Sequence, residues 1–195
     1  MDERGFFDKI ASTWDDNEVL STDDKVKAIL EFMDIKEGYS VLDLGTGTGV
    51  LLPHIAKKIG IEGEITAVDY SSGMLNIAIK KFSHLVPSPE FLNMDFETET
   101  IPGEFDRIIL YCVYPHLHTP VDTIKWLKSV NLKKNGKIII AFPCSPDFIN
   151  KIHREKHSES DRLLSASQLA SFLRQNGLEA LVNAETEDAY VISIS

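Results

Sequence analysis

The 195-residue chain is short of several things, and each shortage excludes a class of protein. Two cysteines, Cys112 and Cys144, are too few for the disulfide framework that staples small secreted domains. No apolar run approaches the roughly 20 residues that a membrane-spanning helix needs. The start, Met1-Asp2-Glu3-Arg4-Gly5-Phe6-Phe7, is acidic and aromatic where a secretory leader is basic and then apolar. Positive charge is also scarce. With 20 lysines and arginines against 30 aspartates and glutamates, the net charge is -10, so nucleic acid would meet repulsion over most of the surface. These absences predict a cytoplasmic protein that engages neither membrane nor nucleic acid. No internal repeat with a period of roughly 20 to 50 residues, low-complexity tract or Gly/Ser-rich linker divides the chain. What is there is globular composition, 43% hydrophobic and 26% charged. A chain of this length buries about 70% of its extended surface on folding, enough for one core, and a single domain over residues 1–195 is expected.

The hydrophobic pattern changes period repeatedly along the chain. Strand-like apolar runs fall at 40–44, 64–69, 90–94, 106–111 and 137–142, and segments of helical spacing at 50–59, 72–82, 119–132 and 165–176. Ser72 and Ser165 stand where helices would start, and Gly60, Gly136 and Gly177 where they would stop. Strands alternating with helices predict a mainly parallel sheet covered on both faces. Two further strand-like runs, 179–183 and 189–194, flank a polar turn at 184–188 and predict a closing hairpin, with an antiparallel last strand at one sheet edge. Ahead of the first strand, Asp23-Asp24 opens a helix with Val26, Ile29, Leu30 and Met33 on one stripe. Phe6, Phe7, Ile10 and Trp14 are also spaced for one helical face. They fit either a helix packed on the sheet edge or a flap over a pocket, so residues 1–20 form a candidate lid.

Between the first strand and its helix runs Asp43-Leu44-Gly45-Thr46-Gly47-Thr48-Gly49. Glycines let the backbone turn sharply and approach a ligand with no Cβ in the way, and such a loop after a strand marks a nucleotide site in doubly wound sheets. The dinucleotide fingerprint places its third glycine three residues after the second, whereas Gly49 follows Gly47 by two. The Gly-Lys-Ser/Thr ending of a phosphate loop is missing too. Asp43, two residues before the first glycine, would repel a pyrophosphate and suits a cation.

At these residues the sequence resembles the class I S-adenosylmethionine-dependent methyltransferases of small-molecule type, whose first motif reads acidic-x-Gly-x-Gly-x-Gly. The likeness extends over about residues 20–195. It implies a Rossmann-like α/β fold, doubly wound, with a mostly parallel seven-stranded sheet and an antiparallel C-terminal strand. It also implies S-adenosylmethionine as cofactor and S-adenosylhomocysteine as product. On that resemblance Asp43, Gly45, Thr46, Gly47 and Gly49 form the cofactor loop, Asp69 at the second strand end meets the ribose hydroxyls, and Tyr70 and Met74 follow at the next helix start. Asp95 and Phe96, at the third strand end, lie toward the adenine, and Tyr111 ends the fourth strand. The cofactor carries a sulfonium, an ammonium and one carboxylate, so acids on successive strand ends match its net positive charge.

Methyl transfer from a sulfonium is a direct displacement that depends on positioning, with a base needed only where the acceptor must lose a proton. The acceptor belongs near the fourth and fifth strand ends. There Tyr114-Pro115-His116 departs from the Asn/Asp-Pro-Pro-Tyr/Phe of relatives that methylate amide or exocyclic nitrogens, which together with the acidic charge favours a small-molecule acceptor. His116, Tyr114 and His153 are the candidate catalytic residues, His116 foremost because imidazole accepts a proton near neutral pH. His118 is expected to face solvent. Residues 145–164, opened by Ser145-Pro146-Asp147 and carrying His153 and His157, read as a substrate-side insertion in which Arg162 suits an acidic acceptor. Cys112, His116, Cys144 and His153 would make a soft-metal, metalloid or tetrapyrrole site if they converged, but no metal-ligand spacing supports a resident ion. Two other functions fit a glycine loop of this kind: a nicotinamide-dependent oxidoreductase, and a non-catalytic module that keeps the cofactor fold.

Overall fold

The computed structural model describes residues 3–17, 22–155 and 162–195. In chain order the elements are α1 (Glu3–Ile10), α2 (Asp23–Leu30), β1 (Ser40–Leu44), α3 (Leu52–Ile59), β2 (Glu64–Asp69), α4 (Ser72–Phe82), β3 (Glu90–Asn93) and β4 (Phe105–Tyr111). They continue with α5 (Pro120–Val130), β5 (Leu132–Phe142), α6 (Pro146–Glu155), α7 (Ala166–Gln175), β6 (Ala180–Glu185) and β7 (Tyr190–Ile194). Short 3-10 turns follow α1 and β4. The strands form one sheet in the order β3-β2-β1-β4-β5-β7-β6, in which β1 to β5 pair in parallel and β7 runs antiparallel to both of its neighbours.

Because successive side chains on a strand point to opposite faces, the central strands feed two cores. Leu42, Leu44, Ile108, Leu110, Ile138 and Ile140 pack with Ile124 and Leu127 of α5 and Leu169 and Leu173 of α7. Val41, Ile65, Ile109, Ile139 and Val191 pack with Val26, Ile29 and Leu30 of α2 and Leu52, Ile55 and Ile59 of α3. The continuous apolar runs read from the sequence are therefore strands buried on both sides. Arg107 is the polar member of β4 within this interior. Its guanidinium donates to Met33 O at 2.9 Å, Asp34 O at 2.7 Å and Asp34 Oδ2 at 2.8 Å, fastening the end of α2 to the sheet.

The structure corrects the expected place of the last strand, because β7 does not lie at an edge. Apolar on both faces, it is buried at all five positions and sits between β5 and β6. The edge belongs to β6, where Leu181 is 63% exposed. Some boundaries also move. The glycine loop continues as turns to Leu51, so α3 starts at Leu52, and β5 begins at Leu132 rather than five residues later. No helix among the described residues is long and apolar enough to cross a membrane.

The strand order makes a measurable distinction. Ile192→Ala should lower the unfolding free energy by about 2 to 5 kcal/mol in a denaturant titration, while Leu181→Thr should change it by less than about 0.5 kcal/mol. Equal costs would place the two strands in equivalent surroundings and contradict this order.

Candidate functional site

All the parallel strands end on the same rim of the sheet. Between β1 and β4 the chain switches from building outward on one side to building outward on the other, the place where open α/β sheets form a crevice for ligands. The β1–α3 loop crosses this point. Gly45, Gly47 and Gly49 take positive φ values of 66°, 57° and 89°, a backbone region that other L-residues rarely occupy. Their surroundings differ. A Cβ at position 45 would fall 2.5 Å from Val113 Cγ2, and one at position 49 would fall 2.7 Å from Phe82 Cδ2. At Gly47 it would meet no atom within 4 Å, so this glycine faces open space.

Two carboxylates shape the loop from below. Asp43 is 2% exposed and accepts a 2.7 Å hydrogen bond from Thr46 Oγ1, and burial pushes its carboxyl up to about 7. Asp69, at the end of β2, accepts the Gly47 N–H at 2.8 Å on one oxygen and the Ser71 N–H at 2.8 Å on the other. Burial pushes Asp69 up to about 6, those two bonds pulling the other way. The charge of Asp69 adds to the rise at Asp43.

Helix α1 and the turn after it reach these loops through side chains. Asp8 Oδ1 accepts Ser71 Oγ–H at 2.6 Å and Gly73 N–H at 2.8 Å, while Ser71 Oγ caps α4 by accepting Met74 N–H at 3.2 Å. Asp15 accepts Thr48 Oγ1–H at 2.6 Å and Lys81 Nζ at 3.0 Å. The Phe7 ring stands 5.8 Å from Trp14, 6.2 Å from Tyr70 and 5.8 Å from His116, edge-on to the imidazole. Asp8, Asp15 and Thr48 escaped the sequence reading. Their partners lie 33 to 66 residues along the chain, and nothing in local spacing announces them.

Along the rest of the rim the predicted residues separate. His116 ends the 3-10 turn Tyr114–His116 half-buried against Phe7, whereas Tyr114 packs into the core, where burial pushes its phenol up to about 12. Met74 and Tyr111 are buried, Tyr70 is half-buried, and Phe96 packs against the core. Asp95 Oδ1 accepts Glu97 N–H at 3.1 Å. His118 is exposed as expected, but it is also tied. Glu97, which the sequence reading passed over, takes His118 N–H, Thr119 N–H and Thr123 Oγ1–H at 3.0 to 3.1 Å and lies 2.9 Å from His118 Nδ1. These partners hold its carboxyl below the usual range against burial and fix the loop after β4 to the loop after β3.

Among the described residues the thiols and imidazoles do not assemble into a metal centre. Cys112, at a φ of 58°, and buried Cys144 are both held in the neutral form by desolvation, Cys144 pushed up to about 11. A metal needs the thiolate. Among the described residues no group of three or more His, Cys, Asp or Glu is arranged to hold an ion. His153 lies on α6 with its side chain outside the described residues, and His157 lies outside them altogether. Arg162 lines a separate cavity of about 340 Å³ with Asp147, Asn150, Glu185 and Thr186, between α6, the start of α7 and the β6–β7 turn.

Comparison with known proteins bears on this rim. The family model described as a methyltransferase domain matches residues 35–185. An uncharacterised methyltransferase of Schizosaccharomyces pombe is 24% identical over 189 residues, covering 91% of this chain and 63% of that protein. The (S)-coclaurine N-methyltransferase of Thalictrum flavum is 27% identical over 157 residues, covering 80% of this chain and 41% of that protein. The chain thus spans less than two thirds of either relative's length. A crystal structure of an S-adenosylmethionine-dependent methyltransferase from Aquifex aeolicus superimposes with a TM-score of 0.73 at 25% identity, covering 100% of this chain and 98% of that one. Because the family match runs from just before β1 to the end of β6, this chain belongs to the methyltransferase domain family, in the fold of the class I S-adenosylmethionine-dependent methyltransferases.

Proposed function

We propose that this chain binds S-adenosylmethionine at the β1–β2 rim and moves its methyl group to a small-molecule acceptor held at the ends of β4 and β5. The observation that carries the reading is the pair of buried carboxylates, Asp43 and Asp69, beneath a loop whose middle glycine faces open space. Two acids raised toward neutrality by burial suit a ligand with net positive charge, and a pyrophosphate would be repelled. When bound, the cofactor supplies an electrophilic methyl group on sulfur. Asp69 would accept its ribose hydroxyls and Asp43 would face its ammonium end. Gly45, Thr46, Gly47 and Gly49 would form the cradle, Asp95 and Phe96 would lie toward the adenine, and Tyr70, Met74 and Tyr111 would line the remaining sides.

His116 is the residue we assign to the acceptor, as a base or as an orienting contact, with His153 on α6 at the same rim. Tyr114 belongs with them by position, but a phenol at about 12 keeps its proton near neutral pH and acts as scaffold. A small acceptor is supported by the acidic chain, by the Tyr114-Pro115-His116 turn and by a relative named for acting on (S)-coclaurine. Residues 3–17 of the candidate lid are proposed as the roof over this space and residues 145–155 and 162–164 of the insertion as its far wall, residues 1, 2, 18–20 and 156–161 of these two segments lying outside the described residues, within one domain of a cytoplasmic protein.

Calorimetry with S-adenosylhomocysteine tests the site directly. Asp69→Ala should weaken binding by about 1.5 to 3 kcal/mol, since charge-assisted hydrogen bonds are lost, and unchanged affinity would remove the ribose from Asp69. The pH dependence has a definite sign. A carboxyl raised from 3.8 to about 7 holds a proton in the ligand-free fold that the unfolded chain has released, so its contribution to stability fades as pH climbs through that window. S-adenosylmethionine, a net cation, favours the ionised form, so its affinity should rise between about pH 5.5 and 7.5 with protons released on binding. Asp43→Asn should flatten that rise relative to wild type and raise the ligand-free melting point more at about pH 7.5 than at about pH 5. His116→Ala should lower turnover with cofactor affinity intact, and equal turnover would make His116 a scaffold residue. Saturable NADH binding without any response to S-adenosylhomocysteine would instead favour the oxidoreductase. Tight cofactor binding with no homocysteine product across an acceptor panel would favour the non-catalytic module.

A further inference from the structure

A roof over a pocket needs only apolar contact, yet α1 makes more than that. Asp8 reaches Ser71 Oγ at 2.6 Å, and the backbone N–H of the same Ser71 donates to Asp69 at 2.8 Å. Asp69 in turn accepts the Gly47 N–H at 2.8 Å. A chain of three hydrogen bonds thus runs from the N-terminal helix to the open glycine of the loop. The fit is close: a Cβ at position 73 would come within 3.1 Å of Asp8 O, so Gly73 is what lets α1 approach the start of α4. A second tie, from Asp15 to Thr48 and Lys81, grips the other end of the same loop.

We infer that Asp8 is a positioning residue for the cofactor site: by holding Ser71 it sets the orientation of the Asp69 carboxylate, so that the N-terminal helix completes the site instead of only covering it. The inference rests on the cofactor reading given above and adds a residue to it. Ser71 has one side-chain oxygen, which accepts from Met74 while its proton goes to Asp8. Without Asp8 that proton has no fixed direction, and the turn carrying the Ser71 N–H loses a restraint. Charge enters as well. Asp69 faces Asp43 on β1 and Asp8 on α1, with Arg4 acting on Asp8 from the same helix. The charge of Asp8 disfavours ionisation of Asp69, and a bound cation would be attracted by all three acids.

Two variants separate geometry from charge. Asp8→Ala removes both, whereas Asp8→Asn keeps an oxygen for Ser71 and Gly73 and removes only the charge. Titrations with S-adenosylmethionine, which keeps the sulfonium charge, from about pH 5 to 8 should show Asp8→Ala binding about tenfold more weakly at its best pH. Asp8→Asn should stay within about twofold of wild type while the midpoint of its pH dependence moves to lower pH, because Asp69 then ionises more easily. Asp8→Ala binding as wild type with an unmoved midpoint would overturn the inference. Should Asp8→Ala fail to fold, an unmoved midpoint in Asp8→Asn together with full affinity would overturn it equally. Wild type that binds no S-adenosylmethionine at any pH would instead defeat the cofactor reading, an outcome distinct from either.

Discussion

Gly47 donates its backbone N–H to Asp69 across the turn that joins β1 to α3, and most of the rim follows from that contact. To donate there, the loop must pass through three left-handed positions, which glycine occupies without strain. To accept there, Asp69 must be carried at the end of a strand parallel to β1, as the pairing of Leu44 with Val68 arranges. The carboxylate is thereby kept where water is scarce, and its charge becomes costly until something positive arrives. Asp43 on the next strand sharpens the same condition.

The N-terminal segment makes sense in that field. An amphipathic helix with Phe6, Phe7 and Ile10 on one side needs an apolar surface, and Phe7 finds Tyr70, Trp14 and His116. Its acids find donors at the starts of the loops that it crosses, Ser71 and Gly73 for Asp8, Thr48 for Asp15. The contact with His116 joins this segment to the turn after β4, and Glu97 ties the loops after β3 and β4 by gathering donors from His118, Thr119 and Thr123. Asp8, Asp15, Asp69 and Glu97 thus each accept two or more donors and tie the loops of the rim together.

Much of this was open to reading from residue order. Val41-Leu42 and Ile138-Ile139-Ile140 are apolar on both strand faces and announce a covered parallel sheet, and three spaced glycines after Asp43 announce a tight turn. Other features resisted. Leu181 and Ile192 look alike as members of strand-like runs, and only pairing with β5 makes one a surface residue and the other a core residue. Tyr114 and His116 stand two residues apart in one motif, yet a tight turn sends one into the core and leaves the other against Phe7. Gly45, Gly47 and Gly49 share a motif as well, while Val113 and Phe82 close off two of them.

The division has a physical cause. Periodicity and turn chemistry depend on neighbours within a few residues, so the strand-helix alternation and the glycine turn after β1 were written into the order of amino acids. Contacts such as Asp8 with Ser71, Asp15 with Thr48 and Glu97 with Thr123 join segments far apart along the chain, and residue spacing carries no record of them. They come into being when the sheet closes and brings its strand ends to one rim, which is where the folded molecule, and not the order of its residues, chose the partners of each acid.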